Sequence, residues 1–249
     1  IGCGGTIVRH SDAGDRVCVL LVTDGGSSGA GALGRDEIAR RREAEAREAV
    51  SRLGRVELVR YALPEGRWSR EELVSRLSVT LATLQPTVVY ATSCVDFHPE
   101  HIRVARALAQ ALISRGAGDK PRAVRGYEVQ VPLTPLLVNL IADVSTVAER
   151  KQRALQAYKT QLPALRGMPR QARYVQALYG RQGPVEVFWE MQPNLFCNVV
   201  SQDRGRYRGT RLRPFTDGLA WLVGLRARWR LRRLGRRNET LPVRPGTNT

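Results

Sequence analysis

Residues 87–101 read Thr87-Val88-Val89-Tyr90-Ala91-Thr92-Ser93-Cys94-Val95-Asp96-Phe97-His98-Pro99-Glu100-His101, and this stretch decides the fold class. Its first half is a short apolar, β-branched run, and its second half opens a helical pattern. Pro99 suits the first helical position, because its missing N–H would go unpaired there and its fixed φ is already helical. His98 therefore falls at the cap. Spacings of three and four from His101 reach Ala105, Leu108 and Leu112, so this face of the helix packs inward. In an α/β protein the carboxyl ends of parallel strands, with helix N-termini beyond them, are where ligands usually bind. His98-x-x-His101 holds two of only three histidines in 249 residues and is a candidate site. The same spacing also fits a polar helix start with one capping and one solvated histidine.

Working outward, strand and helix patterns alternate. Val17-Cys18-Val19-Leu20-Leu21-Val22-Thr23 is a continuous apolar run of the kind expected for a strand buried on both faces. It ends in Asp24-Gly25-Gly26, where Asp24 is either a turn residue or part of a site. A helix is expected from about Asp36 to Leu53 with Gly54 as its stop; Ala46, Ala49, Val50 and Leu53 form its apolar face. Arg42 and Glu45 lean inward on the adjoining stripe. An inward arginine is costly without an acidic partner, so either Glu45 pairs with it or Arg42 reaches a site.

Val56 to Leu63 alternates as a second strand, and Ser69 caps a helix with the stripe Leu73, Leu77, Leu81 and Leu84 that Gln85-Pro86 stops. A further strand is expected over Arg125–Val131. A helix from about Thr146 to Gln161 would align Val147, Lys151, Ala154 and Tyr158. This repeated alternation indicates a parallel sheet with helices on its faces. The opening Ile1-Gly2-Cys3-Gly4-Gly5-Thr6-Ile7 would allow close backbone approach, but lacks the Gly-Lys-Ser/Thr ending of a phosphate loop.

The charge of +17 is uneven: residues 1–100 carry 13 basic against 14 acidic side chains, and residues 101–249 carry 27 against 9. Arginine outnumbers lysine, which occurs only at positions 120, 151 and 159. Such a bias suits phosphate and carboxylate partners and also follows from a GC-rich genome. Residues 203–237 hold twelve arginines against Asp203 and Asp217. Within residues 219–237 an apolar plug precedes cations, a pattern that can dock to an anionic membrane surface and that equally fits a last core helix with a solvated tail. A reading in which this tail carries the main activity, as a nucleic-acid or anionic-lipid binder, ranks last, since charge alone gives no specific contact. No run approaches the roughly 18 to 20 apolar residues of a membrane span. Cys3, Cys18, Cys94 and Cys197 show no Cys-x-x-Cys spacing, so buried reduced thiols in a cytoplasmic protein are expected.

Taken together, the ordered segments resemble the LmbE/PIG-L zinc-dependent N-deacetylases over roughly residues 1–165. The matching segments are Gly2 to Ile7, Thr23-Asp24-Gly25 and Arg42-x-x-Glu45-x-x-x-Ala49-x-x-x-Leu53-Gly54, then His98-Pro99-Glu100-His101, Tyr127-Glu128-Val129 and Lys151-x-x-Ala154-Leu155-x-x-Tyr158-x-x-Gln161.

The resemblance implies a Rossmann-like three-layer α/β sandwich with a mostly parallel sheet, followed by a basic extension over residues 166–249. It implies His101 as a zinc ligand, His98 as the group that stabilises the oxyanion or transfers a proton, and Arg42, with Asp24, as substrate contacts. Glu100 would orient His98, although the family usually has Asp there. The implied reaction is hydrolysis of the N-acetyl group of an N-acetylglucosamine-type conjugate by zinc-activated water. The family's other metal ligands and its general base come from a His-Pro-Asp-Asp-Glu motif ahead of the glycine-rich segment, so an N-terminally truncated chain is expected. The alternative is a non-catalytic binding module that has lost its metal.

Overall fold

A computed structural model describes residues 2–202 apart from 28–32, 97, 130, 131 and 134. In chain order its elements are α1 (Gly4–Asp12), β1 (Val17–Thr23), α2 (Arg35–Ser51), β2 (Val56–Leu63), α3 (Arg70–Leu84), β3 (Val88–Thr92), α4 (Pro99–Ile113), β4 (Ala123–Tyr127), β5 (Leu140–Asp143), α5 (Ala148–Leu155), α6 (Leu162–Leu165), α7 (Met168–Leu178), β6 (Val185–Met191) and α8 (Pro193–Gln202). They fall into two compact units, Ile1–Trp68 with Ala142–Glu186, and Ser69–Ile141 with Val187 onward.

In the first unit β1 and β2 pair in parallel, with Val17 opposite Val56 and Leu21 opposite Arg60. Val8, Leu53, Val144, Val147 and Ala154 form a buried cluster, with Ile7, Val56 and Ala142 packed against it. Two expectations are corrected here. Every residue of β1 is half-buried rather than buried on both faces, because β2 is its only strand neighbour among the described residues. The helix expected over residues 146–161 is broken: a 3-10 turn at Ser145–Val147 leads into α5, and a second 3-10 turn covers Lys159–Gln161. Glu45 on α2 accepts hydrogen bonds from the Thr160 N–H (2.7 Å) and hydroxyl (2.6 Å). The chain leaves the helix to meet that carboxylate, and Tyr158 lies beyond the helix end.

In the second unit Ser69 caps α3 as expected, its hydroxyl accepting from Glu72 N at 3.0 Å. The helix closes at Gln85, whose φ of 43° is left-handed. β3 and β4 pair in parallel from Val88–Ala123 to Thr92–Tyr127, so β4 starts two residues before the expected strand and ends at Tyr127. β6 lies antiparallel to β4, with Val124 opposite Met191, and the sheet order is β3-β4-β6-β5. The interior is built from Leu73, Leu77, Leu81, Ile102, Leu108, Leu112, Phe188 and Phe196, all buried.

The α/β class with largely parallel pairing is thus as expected. Residues 166–202, placed by composition in a basic extension, contain α7, β6 and α8. Residues 203–249, including the apolar and arginine-rich stretch 219–237, lie outside the described residues. No helix among those described is long and apolar enough to cross a membrane. All four cysteines are free, and all but Cys18 are buried.

Candidate functional site

The histidine pair sits where β3 gives way to α4. His98 is the N-cap residue of α4 with extended backbone (φ −74°, ψ 121°), and Pro99 opens the helix. His101, one turn in, is tied to the strand: the Thr92 hydroxyl donates to its carbonyl at 3.2 Å. The helix face behind it is buried through Ala105, Leu108 and Leu112. The two imidazoles therefore lie side by side, ring centres 4.7 Å apart and planes inclined by 32°.

Between strand and helix lies a carboxylate that sequence reasoning left without a role. Asp96 is 1% exposed. Its Oδ1 accepts from the backbone N–H of His98 at 3.2 Å, a turn that fixes the entry into α4. Its Oδ2 lies 3.2 Å from Nδ1 of His101. That Nδ1 is buried and the approach is not aligned as a hydrogen bond, so the contact is one of charge beside a ring nitrogen. The signal was present in the sequence as an Asp two residues before a cap histidine. Glu100, expected to orient His98, forms an ion pair with Arg103 at 2.7 Å.

The first unit holds the other predicted residues. Asp24 closes the turn after β1: its Oδ1 accepts from Gly26 N (2.9 Å) and Glu65 N (3.0 Å), and Arg35 stands 3.4 Å away. Burial on its own would raise the carboxyl pKa, but the two backbone N–H groups and Arg35 outweigh it and hold it below the ordinary range. Arg42 reaches back over this turn. A Cβ on Gly25, which has φ +69°, would lie 2.7 Å from Arg42 Cδ and 2.8 Å from its Nη1, so only glycine lets the guanidinium lie on the backbone there.

Of the two alternatives left open for Arg42, the pairing with Glu45 is present as charge attraction without a hydrogen bond to the buried Nε. Glu45 is buried and spends both oxygens on Thr160, while the buried Nε of Arg42 has no hydrogen-bond partner among the described residues. Desolvation lowers the guanidinium pKa, opposed by the charges of Glu65, Glu45 and Asp24. A half-buried cation with a buried, unmet Nε donor is suited to an anionic or strongly polar group.

Glu186 on β6 was invisible to sequence reasoning, being 181 and 180 residues from Gly5 and Thr6 and 35 from Lys151. It is 3% exposed and accepts from Gly5 N (2.8 Å), Thr6 N (2.7 Å), the Thr6 hydroxyl (2.6 Å) and Lys151 Nζ (2.7 Å). The glycine-rich opening is thus the start of α1 fitted around a carboxylate, a use of helix N-terminal N–H groups that needs no phosphate. His10, the third histidine, pairs with Asp15 at 2.6 Å.

Whether these residues fit a metal is a matter of donor count. His101, with its Nδ1 toward a carboxylate, has the form of one imidazole ligand with its outer partner. Among the described residues no group of three or more His, Cys, Asp or Glu side chains comes together to hold an ion, so His101 fits as a single ligand and the set is not completed by them.

Residues 1–112 match the family model described as PIG-L: GlcNAc-PI de-N-acetylase. The chain is 28% identical over 184 residues to a diacetylchitobiose deacetylase of Thermococcus kodakarensis, covering 66% of each protein; it spans about two thirds of that relative's length. Among solved structures it is similar to the N,N'-diacetylchitobiose deacetylase from Pyrococcus horikoshii, with a TM-score of 0.64 at 22% identity over 78% of this chain and 80% of the other. It is also similar to GalB, the 4-carboxy-2-hydroxymuconate hydratase from Pseudomonas putida KT2440, with a TM-score of 0.63 at 20% identity over 76% and 89%. The expected family resemblance and α/β fold are borne out. The structural likenesses are of fold alone, and that fold is shared by a deacetylase and a hydratase.

Proposed function

We propose that this chain, whose residues 1–112 match the PIG-L (LmbE-like) family, serves a metal-dependent N-deacetylase acting on an N-acetylglucosamine-type conjugate. In the proposed reaction water adds to the amide carbonyl carbon, the C–N bond breaks, and acetate and a free amine leave. The observation that carries the reading is the paired imidazole arrangement of His98 and His101 at the end of β3, with a buried carboxylate against the second ring. Family kinship and the deacetylase names of the relatives support it.

His101 is assigned to the metal and His98 to the developing oxyanion or the leaving amine, the roles a neutral or protonated imidazole fills best. A bound divalent ion such as zinc would supply an acidified water and a polarised carbonyl. Among the described residues His101 is the one assigned to the ion, and no cluster of three ligands surrounds it. Arg42, with its unmet donor, is assigned to a polar group of the substrate, and Asp24 to shaping the turn beneath it. Glu100 is assigned to the surroundings of His98.

The test is direct. The product of the full gene, given a panel of N-acetylglucosamine conjugates, should release acetate and new primary amine in equal amounts. A chelator should abolish this and zinc restore it. Release indifferent to the chelator would sink the metal assignment. Saturable conjugate binding without acetate release would leave a binding module instead.

A further inference from the structure

Beyond these assignments, and resting on the reading of His101 as a ligand, the geometry points to Asp96 as the positioning residue that sets the tautomer of His101. Its two oxygens divide the work. Oδ1 is held by the backbone N–H of His98, which fixes the carboxylate's rotation. Oδ2 thereby stands 3.2 Å from Nδ1 of His101. With Asp96 1% exposed, water is kept from the carboxylate that meets that nitrogen. The proton of the neutral ring therefore resides on Nδ1, where it faces the negative oxygen, and Nε2 keeps its lone pair. Which nitrogen carries the proton is set by the partner of the other, and a ligating histidine held this way by a carboxylate is oriented and made more basic.

The isosteric exchange Asp96→Asn gives a sharp test. Because the His98 N–H still needs an acceptor, the amide oxygen takes the place of Oδ1 and the NH2 takes that of Oδ2. A donor then meets His101 Nδ1, and the proton is driven to Nε2. The chain as it stands, 15N-labelled and metal-free, suffices to read this from long-range 1H–15N correlations of the neutral ring. His10→Gln and His98→Gln variants assign the signals, and the amide spectrum reports the fold.

The expected result is an Nδ1–H ring in the parent and an Nε2–H ring in D96N. In the full-length protein, zinc affinity should fall about 10- to 100-fold in D96N. An Nε2–H ring in the parent, or a tautomer indifferent to the exchange, overturns the proposal. If D96N does not fold, the parent ring alone decides. The spectra need neither metal nor substrate, so they stand apart from acetate release: a correct tautomer with no deacetylation would remove the enzyme reading and leave Asp96 in its role.

Discussion

Lys151 and Glu186 meet at 2.7 Å behind the first turn of α1, in an ion pair whose carboxylate is almost wholly buried. Three further donors from Gly5 and Thr6 complete the shell of Glu186. The pair thereby fixes where the glycine-rich opening enters its helix. Removing one partner of a buried pair leaves the other uncompensated, at about 3–5 kcal/mol. Glu186→Gln should therefore lower the unfolding free energy by an amount in that range, read as a lower urea midpoint with the slope unchanged. A loss below about 1 kcal/mol, the scale of an exposed pair, would show that the carboxylate is not held as described.

A second prediction concerns the packing beside that carboxylate. A methyl on Gly5 would come within 2.7 Å of Cβ and Cγ1 of Val144, and Val144 is part of the buried cluster. Gly5→Ala should destabilise by about 1–3 kcal/mol through overpacking. Adding Val144→Ala should recover part of this, because the two sites share one space and their effects are not additive. Strict additivity in the double-mutant cycle would refute the contact.

What was legible in the sequence follows from what is local. β1 and β2 carry the expected bounds, as do the caps Ser69 and His98 with Pro99, because apolar runs and capping chemistry act within a few residues. The break between α5 and Lys159 was not legible, since the group that ends the helix is Glu45, more than a hundred residues upstream. Glu186 was missed for the same reason. β6 escaped because Val185 to Met191 was grouped with the arginine-rich residues 203–237 that follow it. The histidines and Arg42 were singled out as candidates by residue type. Asp96 was not, because an Asp at that spacing reads as turn chemistry until the ring of His101 is seen against it.

Asp24 gives a pH prediction. Burial on its own pushes its carboxyl upward, but the Glu65 and Gly26 N–H groups and Arg35 bring it below the ordinary value. A group with a depressed folded pKa stabilises above its unfolded pKa and loses that contribution as the pH falls through the folded one. The loss should therefore set in below about pH 4. Asp24→Asn, which keeps the acceptor oxygen without the charge, should be less stable at neutral pH and should show a shallower fall under acid. Urea midpoints across that range measure both. Parallel curves for parent and variant would remove Asp24 as a contributor.

Arg42 separates a structural arginine from a functional one. Its Nε is buried without a partner among the described residues, and desolvation is the main cause of its lowered pKa. A side chain kept for the fold should cost stability when removed, whereas one kept for a ligand carries its desolvation unrelieved until the ligand arrives. Arg42→Met retains length and apolar packing. It should leave stability within about 1 kcal/mol of the parent, the scale of a partly exposed charge contact. In the full-length protein the same variant should raise KM at least tenfold, about 1.4 kcal/mol of binding, with a smaller change in kcat. Arg42→Lys should recover little, because a single ammonium does not reproduce the planar fork. A marked loss of stability in R42M with KM unchanged would return Arg42 to the interior and leave the proposed substrate contact without a residue to make it.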